Sequence, residues 1–383
     1  MTRRVRVGVL YGGRSGEHEV SLRSAATVIG ALDPARYEVI PIAIGKDGRW
    51  RTGIESLRLL DEAQRHLTAI PDHGIEVTTA PEPTRHAFVP LGNGVALPID
   101  VVFPVLHGTY GEDGTVQGLF ELADIAYVGS GVLGSAVGMD KAIMKAVFRD
   151  AGIPVCRWIV ARPSLETIDS IAARVATEIG YPGFVKPANL GSSVGISKVK
   201  QSTDLAQAVA EAASFDLKII IEAGIDAREL ECAVLGNEDP EVSGVGEVVP
   251  SHDWYDYADK YVDGGATVAI PAPIAPEVAE EVRSLSARTF RATDAAGMAR
   301  IDFFLERGTD RLYVNEINTI PGFTPSSMFP KLWEAAGRSF PSVVERLIDL
   351  AIARHRERAA RRLSFSPPVA TANAPRRSSG GNL

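Results

Sequence analysis

The chain has 383 residues, of which 45% are hydrophobic, so it can form at least two folded cores and cannot be wholly disordered. Its net charge of −8 argues against a chain-wide basic surface, and we expect no nucleic-acid partner. Two cysteines are too few for a disulfide framework and indicate a reducing, cytoplasmic setting. Since no apolar run approaches the roughly 18–20 residues of a membrane helix, we expect no membrane association.

Runs of β-branched residues alternate with amphipathic stretches, which favours an α/β fold with a parallel sheet. The first third predicts strand 5–11, helix 22–32, strand 38–44, strand 101–106 and helix 115–123. The middle predicts helix 135–151, strand 155–160, helix 167–179 and strand 184–186, followed by a glycine-rich turn at 191–195. The last third predicts strands 218–222, 229–235, 243–249, 298–305 and 311–316, with helices 276–293 and 327–336.

This order of elements divides the chain into three predicted domains and a tail. The boundaries are residues 1–130, 131–224, 225–353 and 354–383. Within the third domain, residues 250–265 form a polar, aromatic loop that we predict to be a lid, since such a segment can fold over a ligand and exclude water. The tail carries seven Arg and one Glu, and we predict that it is disordered, although its first residues, RHRERAARR, are also compatible with an extended final helix.

The run GSGVLG at 129–134 matches GxGxxG, the glycine pattern of dinucleotide-binding domains. That pattern also requires an acidic residue at the end of the following strand, where Ala161 and Arg162 stand instead. We therefore favour a tight glycine turn, and a nicotinamide-dependent oxidoreductase is kept as an alternative. The absence of GxxxxGK[ST] excludes a P-loop.

Two predicted neighbouring strands carry the residues with the clearest chemistry. Side chains alternate between faces along a strand, so Arg300 and Asp302 share one face, as do Glu316 and Asn318. If the two faces coincide, two carboxylates and an amide oxygen form a site that suits Mg²⁺ and phosphate. The alternative is a pair of surface strands with salt bridges.

Two lysines make the functional interpretation more specific. Lys186 ends an apolar strand just before the turn at 191–195, whose backbone N–H groups can wrap phosphate oxygens. Lys141 follows Met139 and Asp140 on a predicted helix. A single such lysine is usually just solvated, but two of them with a glycine turn and a metal site indicate phosphoryl transfer.

This combination resembles the ATP-grasp superfamily, and three longer motifs resemble the D-alanine–D-alanine ligase family over residues 1 to about 352. The motifs are LYGGRSGEHEVS at 10–21, HGTYGEDGTVQG at 107–118 and NTIPGFT at 318–324. The resemblance implies a three-domain α/β ATP-grasp architecture, ATP as co-substrate, Mg²⁺ or Mn²⁺ as metal, and a homodimer. It also implies that ATP phosphorylates one D-alanine and that the amine of a second attacks the D-alanyl phosphate, supplying D-alanyl-D-alanine for peptidoglycan.

The resemblance also assigns roles to individual positions. The implied metal ligands are Asp302, Glu316 and Asn318. The implied ATP-binding residues are Lys141, Lys186, Glu222, Ala223, Ile225, Glu229 and Lys260, with Ala223 standing where relatives often have a lysine or glutamine. The implied substrate-binding residues are Glu17, His107, Arg300, Gly322, Ser327 and Met328, and the implied catalytic residues are Glu17, Ser192, Tyr261, Arg300 and Gly322.

Three alternatives are left open. An ATP-grasp ligase of the same kind could use D-lactate or D-serine as its second substrate, although Tyr261 in the predicted lid favours an amine. The oxidoreductase would bind NAD and not ATP. A non-catalytic nucleotide sensor is disfavoured by the complete set of metal and phosphate residues.

Overall fold

Three β-sheets follow one another in the computed structural model of the chain, which describes residues 3–53, 74–79, 83, 88–92, 95–249 and 267–361. Helices cover the sheets, so the predicted α/β class is confirmed. The predicted lid at 250–265 lies outside the described residues, as do residues 362–383 of the predicted tail. Within the described ranges, no helix combines the length and the apolar composition that crossing a membrane requires.

The first sheet has six strands in the spatial order β5-β4-β3-β2-β1-β6. Their bounds are β1 Val5–Gly12, β2 Tyr37–Ile44, β3 Trp50–Thr52, β4 Ile75–Thr79, β5 Phe88–Pro90 and β6 Val101–Val105. Strand β1 pairs in parallel with β2 and β6, as the alternating pattern predicts. Strands β3 to β5 add an antiparallel edge. The loop 45–49 between β2 and β3 is too short for the crossover that parallel pairing needs.

Strand β1, which lies between β2 and β6, is buried on both faces, as its nearly continuous apolar sequence requires. Val7 and Val9 belong to a core that includes Leu22 of helix α1 (His18–Ala31). Leu10 faces the opposite core with Phe120 of helix α2 (Thr115–Leu122). The carboxyl end of β1 therefore holds the segment that follows it, which contains Glu17, in a defined position.

The second sheet has four strands in the order β7-β10-β8-β9, with pairings that are antiparallel throughout. The elements of this region are helices α3 Val132–Met139, α4 Lys141–Asp150, α5 Ile168–Arg174 and α6 Leu205–Ala213, and strands β7 Trp158–Ala161, β8 Gly183–Pro187, β9 Ser197–Val199 and β10 Ile219–Ala223. Helix α5 continues into a π-helical turn at Val175–Ile179.

The single helix predicted at 135–151 is wrong, because two helices, α3 and α4, occupy that stretch. They are separated at Asp140, whose backbone is extended and whose carboxylate accepts hydrogen bonds from the N–H groups of Ala142 and Ile143, both at 3.1 Å. An aspartate in this position caps the second helix. The break directs Lys141, the first residue of α4, toward the neighbouring strand β8 and its loop.

The third sheet is antiparallel, with the order β13-β12-β11-β14-β15. Its strands are β11 Ala227–Gly236, β12 Glu241–Val249, β13 Thr267–Ala269, β14 Gly297–Glu306 and β15 Leu312–Asn318. Helices α7 Pro276–Ala292, α8 Met328–Ala335 and α9 Phe340–Ala359 complete this region. Helices α8 and α9 share one core with β1 and α1, so the first and third sheets are packed together.

Helix α9 runs to Ala359, so the prediction of disorder from residue 354 is wrong for its first residues and the extended-helix alternative holds there. Contacts with Tyr127 and Glu121 stabilise this last part of α9. The Arg354 guanidinium lies 4.6 Å from the centroid of the Tyr127 ring and donates a hydrogen bond of 3.2 Å to the Tyr127 carbonyl. Arg358 also forms an ion pair with Glu121.

The glycines of the GxGxxG run are explained by backbone packing. A Cβ on Gly134 would lie 2.5 Å from the carbonyl oxygen of Asp294, and a Cβ on Gly297 would lie 3.1 Å from the amide nitrogen of Gly129. Gly129 itself has a φ of +97°, which favours glycine. The run therefore forms the tight glycine turn that we favoured, packed against the loop after α7.

We predict that Gly134→Ala destabilises the protein by about 2 kcal/mol, because the new methyl group would overlap backbone atoms that cannot move aside. Gly118→Ala is the matched control, since Gly118 lies inside α2 and a Cβ there meets nothing within 4 Å. The control should gain up to about 1 kcal/mol from helix propensity. Urea denaturation of both variants measures the difference, and equal stability of the two would contradict the packing argument.

Candidate functional site

The pairing of β14 with β15 places the predicted metal residues on one face. Arg300 lies opposite Asn318, and Asp302 lies opposite Glu316. Directly paired residues in an antiparallel sheet project to the same side. The two strand faces therefore coincide, which sequence analysis could only suppose. The three predicted metal ligands line one cleft.

The charges of this group are already organised within the protein. The Arg300 guanidinium donates to both oxygens of Asp302, at 2.7 and 2.6 Å, and lies 3.0 Å from Oε2 of Glu231. Asn318 donates from Nδ2 to Asp302 Oδ2 at 3.0 Å. Two carboxylates and one amide oxygen are a donor set that suits Mg²⁺. Within the described ranges, no group of three or more His, Cys, Asp or Glu side chains has an arrangement that could hold a metal ion.

The cleft has a volume of about 490 Å³ and lies between the second and third sheets. Segment 224–226, between β10 and β11, joins the two sheets at one side of the cleft. Clefts of this size accommodate small molecules and cofactors. All the predicted ATP-binding and metal residues that the structure describes line it: Lys141, Lys186, Glu222, Ala223, Ile225, Glu229, Asp302, Glu316 and Asn318.

A buried group of alternating charges lies at the inner end of the cleft. Glu222 lies 2.8 Å from the ammonium of Lys186 and 3.3 Å from that of Lys145. Burial alone would raise the pKa of Glu222, but the positive charges of Lys145 and Lys186 hold it at about 2. Burial likewise opposes the charge of Lys145, yet Glu222 raises the pKa of that ammonium above its ordinary value. Glu222 and Lys145 are therefore both ionised at neutral pH.

Sequence analysis missed Lys145, which is fully buried and also donates to the Asn315 carbonyl at 3.3 Å. The sequence feature that could have identified Lys145 was its position one helical turn after Lys141 on an otherwise apolar face of α4. Lys141 donates to the Leu190 carbonyl at 2.7 Å and lies 3.7 Å from Glu316. It thus connects the glycine-rich turn with the metal candidates.

Glu17 and Ser192, far apart in sequence, are in contact. The Ser192 hydroxyl donates a hydrogen bond to Glu17 Oε1. Ser192 and Ser193 have φ values of +52° and +58°, a conformation that costs free energy in residues with a side chain and that often occurs at functional sites. The structure therefore brings together two of the implied catalytic residues, and another of them, Tyr261, lies outside the described residues.

His107 is buried, and both of its ring nitrogens contact protein atoms. Nδ1 lies 3.0 Å from the Ile320 carbonyl oxygen, and Nε2 lies 3.0 Å from the Ser24 hydroxyl. Both nitrogens are therefore within hydrogen-bond distance of protein groups. Sequence analysis also missed the neighbouring Glu112. Burial and the negative charge of Glu17 raise the pKa of Glu112 to about 8.

The segment after β15 contains the other predicted substrate residues. A Cβ on Gly322 would lie 2.7 Å from the Ser327 hydroxyl, so glycine lets these two residues approach closely. Ser327 precedes α8, whose N-terminal N–H groups can bind an anion. The Met328 side chain is buried against Gly246 in the core, which leaves only its backbone for a substrate contact. Lys260 is outside the described residues.

We predict that Glu222→Gln lowers the free energy of unfolding by about 3 kcal/mol, since it leaves the ammonium of Lys145 buried without its counter-ion. Glu280→Gln is the control, because its carboxylate is 73% exposed beside Arg283 and exposed pairs contribute less than about 1 kcal/mol. Urea denaturation at pH 7 compares them. Similar midpoints for the two variants would show that the buried group does not have this energetic role.

Comparison with known proteins agrees with this geometry. The family model for the D-ala D-ala ligase N-terminus matches residues 6–130, and the model for the D-ala D-ala ligase C-terminus matches residues 147–349. A D-alanine–D-alanine ligase from Thermoanaerobacter sp. (strain X514) is 48% identical over 355 residues, which cover 92% of this chain and 98% of that protein.

Two solved structures share the fold. The D-alanine-D-alanine ligase from Coxiella burnetii has 36% sequence identity and a TM-score of 0.80, covering 94% of this chain and 97% of its own. The VanG D-Ala:D-Ser ligase from Enterococcus faecalis has 33% identity and a TM-score of 0.81, covering 91% and 100%. With family models that match most of its length and relatives that extend over nearly all of it, the chain belongs to the D-alanine–D-alanine ligase family, whose members are ATP-grasp enzymes.

Proposed function

We propose that the chain joins two D-alanine molecules at the expense of ATP, through D-alanyl phosphate, and supplies D-alanyl-D-alanine for peptidoglycan. The observation that carries this proposal is the cleft in which two buried lysines and two paired carboxylates face the same space. Cations at one end and oxygen ligands at the other suit a nucleoside triphosphate with its metal. Because ATP and peptidoglycan precursors are cytoplasmic, we place the reaction in the cytoplasm.

The first step is transfer of the γ-phosphoryl group to a carboxylate oxygen of the first D-alanine, with ADP as leaving group. In the proposal Lys141 and Lys186 bind the phosphates, and Glu222, Ala223, Ile225 and Glu229 surround the adenine and ribose. Asp302, Glu316 and Asn318 would hold Mg²⁺ or Mn²⁺, which offsets the phosphate charge. Lys141 supports this arrangement by its position between the glycine-rich turn and Glu316.

The second step is attack by the amine of the second D-alanine on the activated carbonyl carbon, which releases phosphate. The attacking ammonium must first lose a proton. An unactivated carboxylate resists this reaction because oxide is a poor leaving group, whereas phosphate leaves readily. We assign Arg300 and the Gly322 N–H to the oxyanion of the tetrahedral intermediate, since donors directed at a developing negative charge stabilise it.

The two substrates bind at opposite sides of the reacting carbon in this proposal. Glu17, held by Ser192, pairs with the ammonium of the first D-alanine. The N–H groups at Ser327 and Met328 receive the carboxylate of the second. Lys260 and Tyr261 would close over the cleft as part of the lid, and the homodimer stays a prediction.

D-serine as the second substrate is a specific alternative, because the D-Ala:D-Ser ligase shares the fold as closely as the D-alanine-D-alanine ligase does. Phosphate release from ATP, measured with D-alanine as the only amino acid, tests the proposal. We expect release with D-alanine and not with L-alanine. In competition with D-serine and D-lactate near neutral pH, the D-alanyl dipeptide should predominate. A predominant D-serine or D-lactate product would overturn the choice of acceptor, and no ADP formation would overturn the proposal.

We predict that Glu316→Gln lowers kcat on the order of 100-fold or more, because one carboxylate of the proposed metal site is lost. The melting temperature should change little, since Glu316 is a partly exposed residue at the cleft. Glu334→Gln, an exposed glutamate of α8, is the control and should keep full activity. Titration with Mn²⁺ in the presence of ADP gives a second measurement. Unchanged Mn²⁺ affinity in Glu316→Gln would refute the assignment.

A further inference from the structure

The segment from Ile320 to Phe323, which contains Gly322, is held by side chains from distant parts of the chain. It lies between the end of β15 and the start of α8. The Ile320 carbonyl accepts from His107 Nδ1 at 3.0 Å, and the Ile320 N–H donates to Glu112 Oε1 at 3.0 Å. The Phe323 N–H donates to the Ser24 hydroxyl at 3.3 Å. Backbone groups on both sides of Gly322 are therefore bonded to other elements.

The hydrogen positions along this chain follow from the partners. The Ile320 carbonyl can only accept, so His107 carries its proton on Nδ1. Burial lowers the pKa of His107, which keeps the ring neutral and makes Nε2 an acceptor. The Ser24 hydroxyl then donates its single hydrogen to Nε2, and its oxygen accepts from the Phe323 N–H. Both His107 nitrogens and the Ser24 hydroxyl therefore have hydrogen-bond partners.

Two further contacts make the arrangement rigid. The second oxygen of Glu112 accepts from the Gly108 N–H at 2.6 Å, so this carboxyl group joins the loop after β6 to the loop after β15. The Phe323 ring is fully buried and packs edge-on against Phe103 and Phe329, with centroids 5.8 Å apart in both pairs. Apolar packing fixes the side chains of the segment, and hydrogen bonds fix its backbone.

We propose that Ser24, His107 and Glu112 form a clamp whose role is to position the Gly322 peptide for catalysis. The inference rests on the proposed function, in which the Gly322 N–H stabilises the oxyanion. His107 is then a positioning residue that acts through Ile320, and it does not contact D-alanine. Ser24, on α1 and away from the cleft, becomes important for the reaction although it touches no substrate.

Ser24→Ala tests the clamp, because it removes the bridge between His107 and Phe323 without altering a cleft residue. Ser286→Ala is the matched control: it is also a fully buried helical serine, and its hydroxyl donates to the Val282 carbonyl at 2.7 Å. We expect Ser24→Ala to lower kcat about 10-fold, since small displacements of a catalytic group are costly. The KM for ATP should stay within about twofold, because an interaction used only in the transition state affects kcat. Ser286→Ala should keep wild-type kinetics.

A measurement without substrate separates this inference from the proposed function. Amide hydrogen exchange at Ile320 should be faster in Ser24→Ala than in Ser286→Ala, although the Ile320 acceptor, Glu112, is unchanged in both. Equal exchange at Ile320 and equal kcat in the two variants would overturn the clamp. If the wild-type protein forms no dipeptide, the proposed function fails whatever the exchange result. His107→Asn adds a third comparison: a raised KM for D-alanine in this variant, with wild-type kinetics in Ser24→Ala, would show that His107 binds substrate directly and overturn the positioning role.

Discussion

The register between β14 and β15 is the constraint on which the site depends. It places Asp302 opposite Glu316 and Arg300 opposite Asn318, so that two carboxylates, a guanidinium and an amide project from one face of an antiparallel pair. A shift of one residue would send each side chain to the opposite face, where the core of the sheet lies. The apolar neighbours Ile301 and Ile317 are buried in that core, and they make such a shift costly. The same packing that stabilises the third sheet therefore fixes the candidate metal site.

Charges in the cleft are held in position by other charges before any ligand binds. Glu222 is ionised because two lysines flank it, and Lys145 can be fully buried only because Glu222 is near. Lys186 lines the cleft, so it can contact a phosphate while the buried Lys145 continues to neutralise Glu222. This arrangement reduces the reorganisation that nucleotide binding requires, which is the general advantage of a preorganised polar site.

The sequence predicted those features that depend on local pattern. Alternating apolar runs placed most of the longer strands and helices, and the spacing of Arg300 and Asp302 on one strand was sufficient to predict a shared face. The break at Asp140 was missed because the surrounding stretch is helical in pattern on both sides of the cap. Short edge strands of the first sheet were missed because three to five residues carry little periodicity.

The sequence could not predict contacts between residues that lie far apart along the chain. His107 and Ile320 are 213 positions apart, and Ser24 and Phe323 are 299 apart, so no local pattern indicates that they meet. The motif around His107 predicts a substrate ligand and gives no indication of these contacts. Ile320 reaches His107 because the first and third sheets pack together, and Ser24 contacts it from α1. These two partners explain why a buried histidine follows β6.

The central claim is that the cleft activates a carboxylate by phosphorylation, and isotope transfer tests it most directly. D-alanine labelled with ¹⁸O in its carboxylate is incubated with the protein, ATP and Mg²⁺, and the released phosphate is analysed by mass spectrometry. If D-alanyl phosphate forms, each phosphate carries one ¹⁸O atom, because the bond between carbon and the labelled bridging oxygen breaks when the amine attacks. Unlabelled phosphate released together with dipeptide would contradict the account.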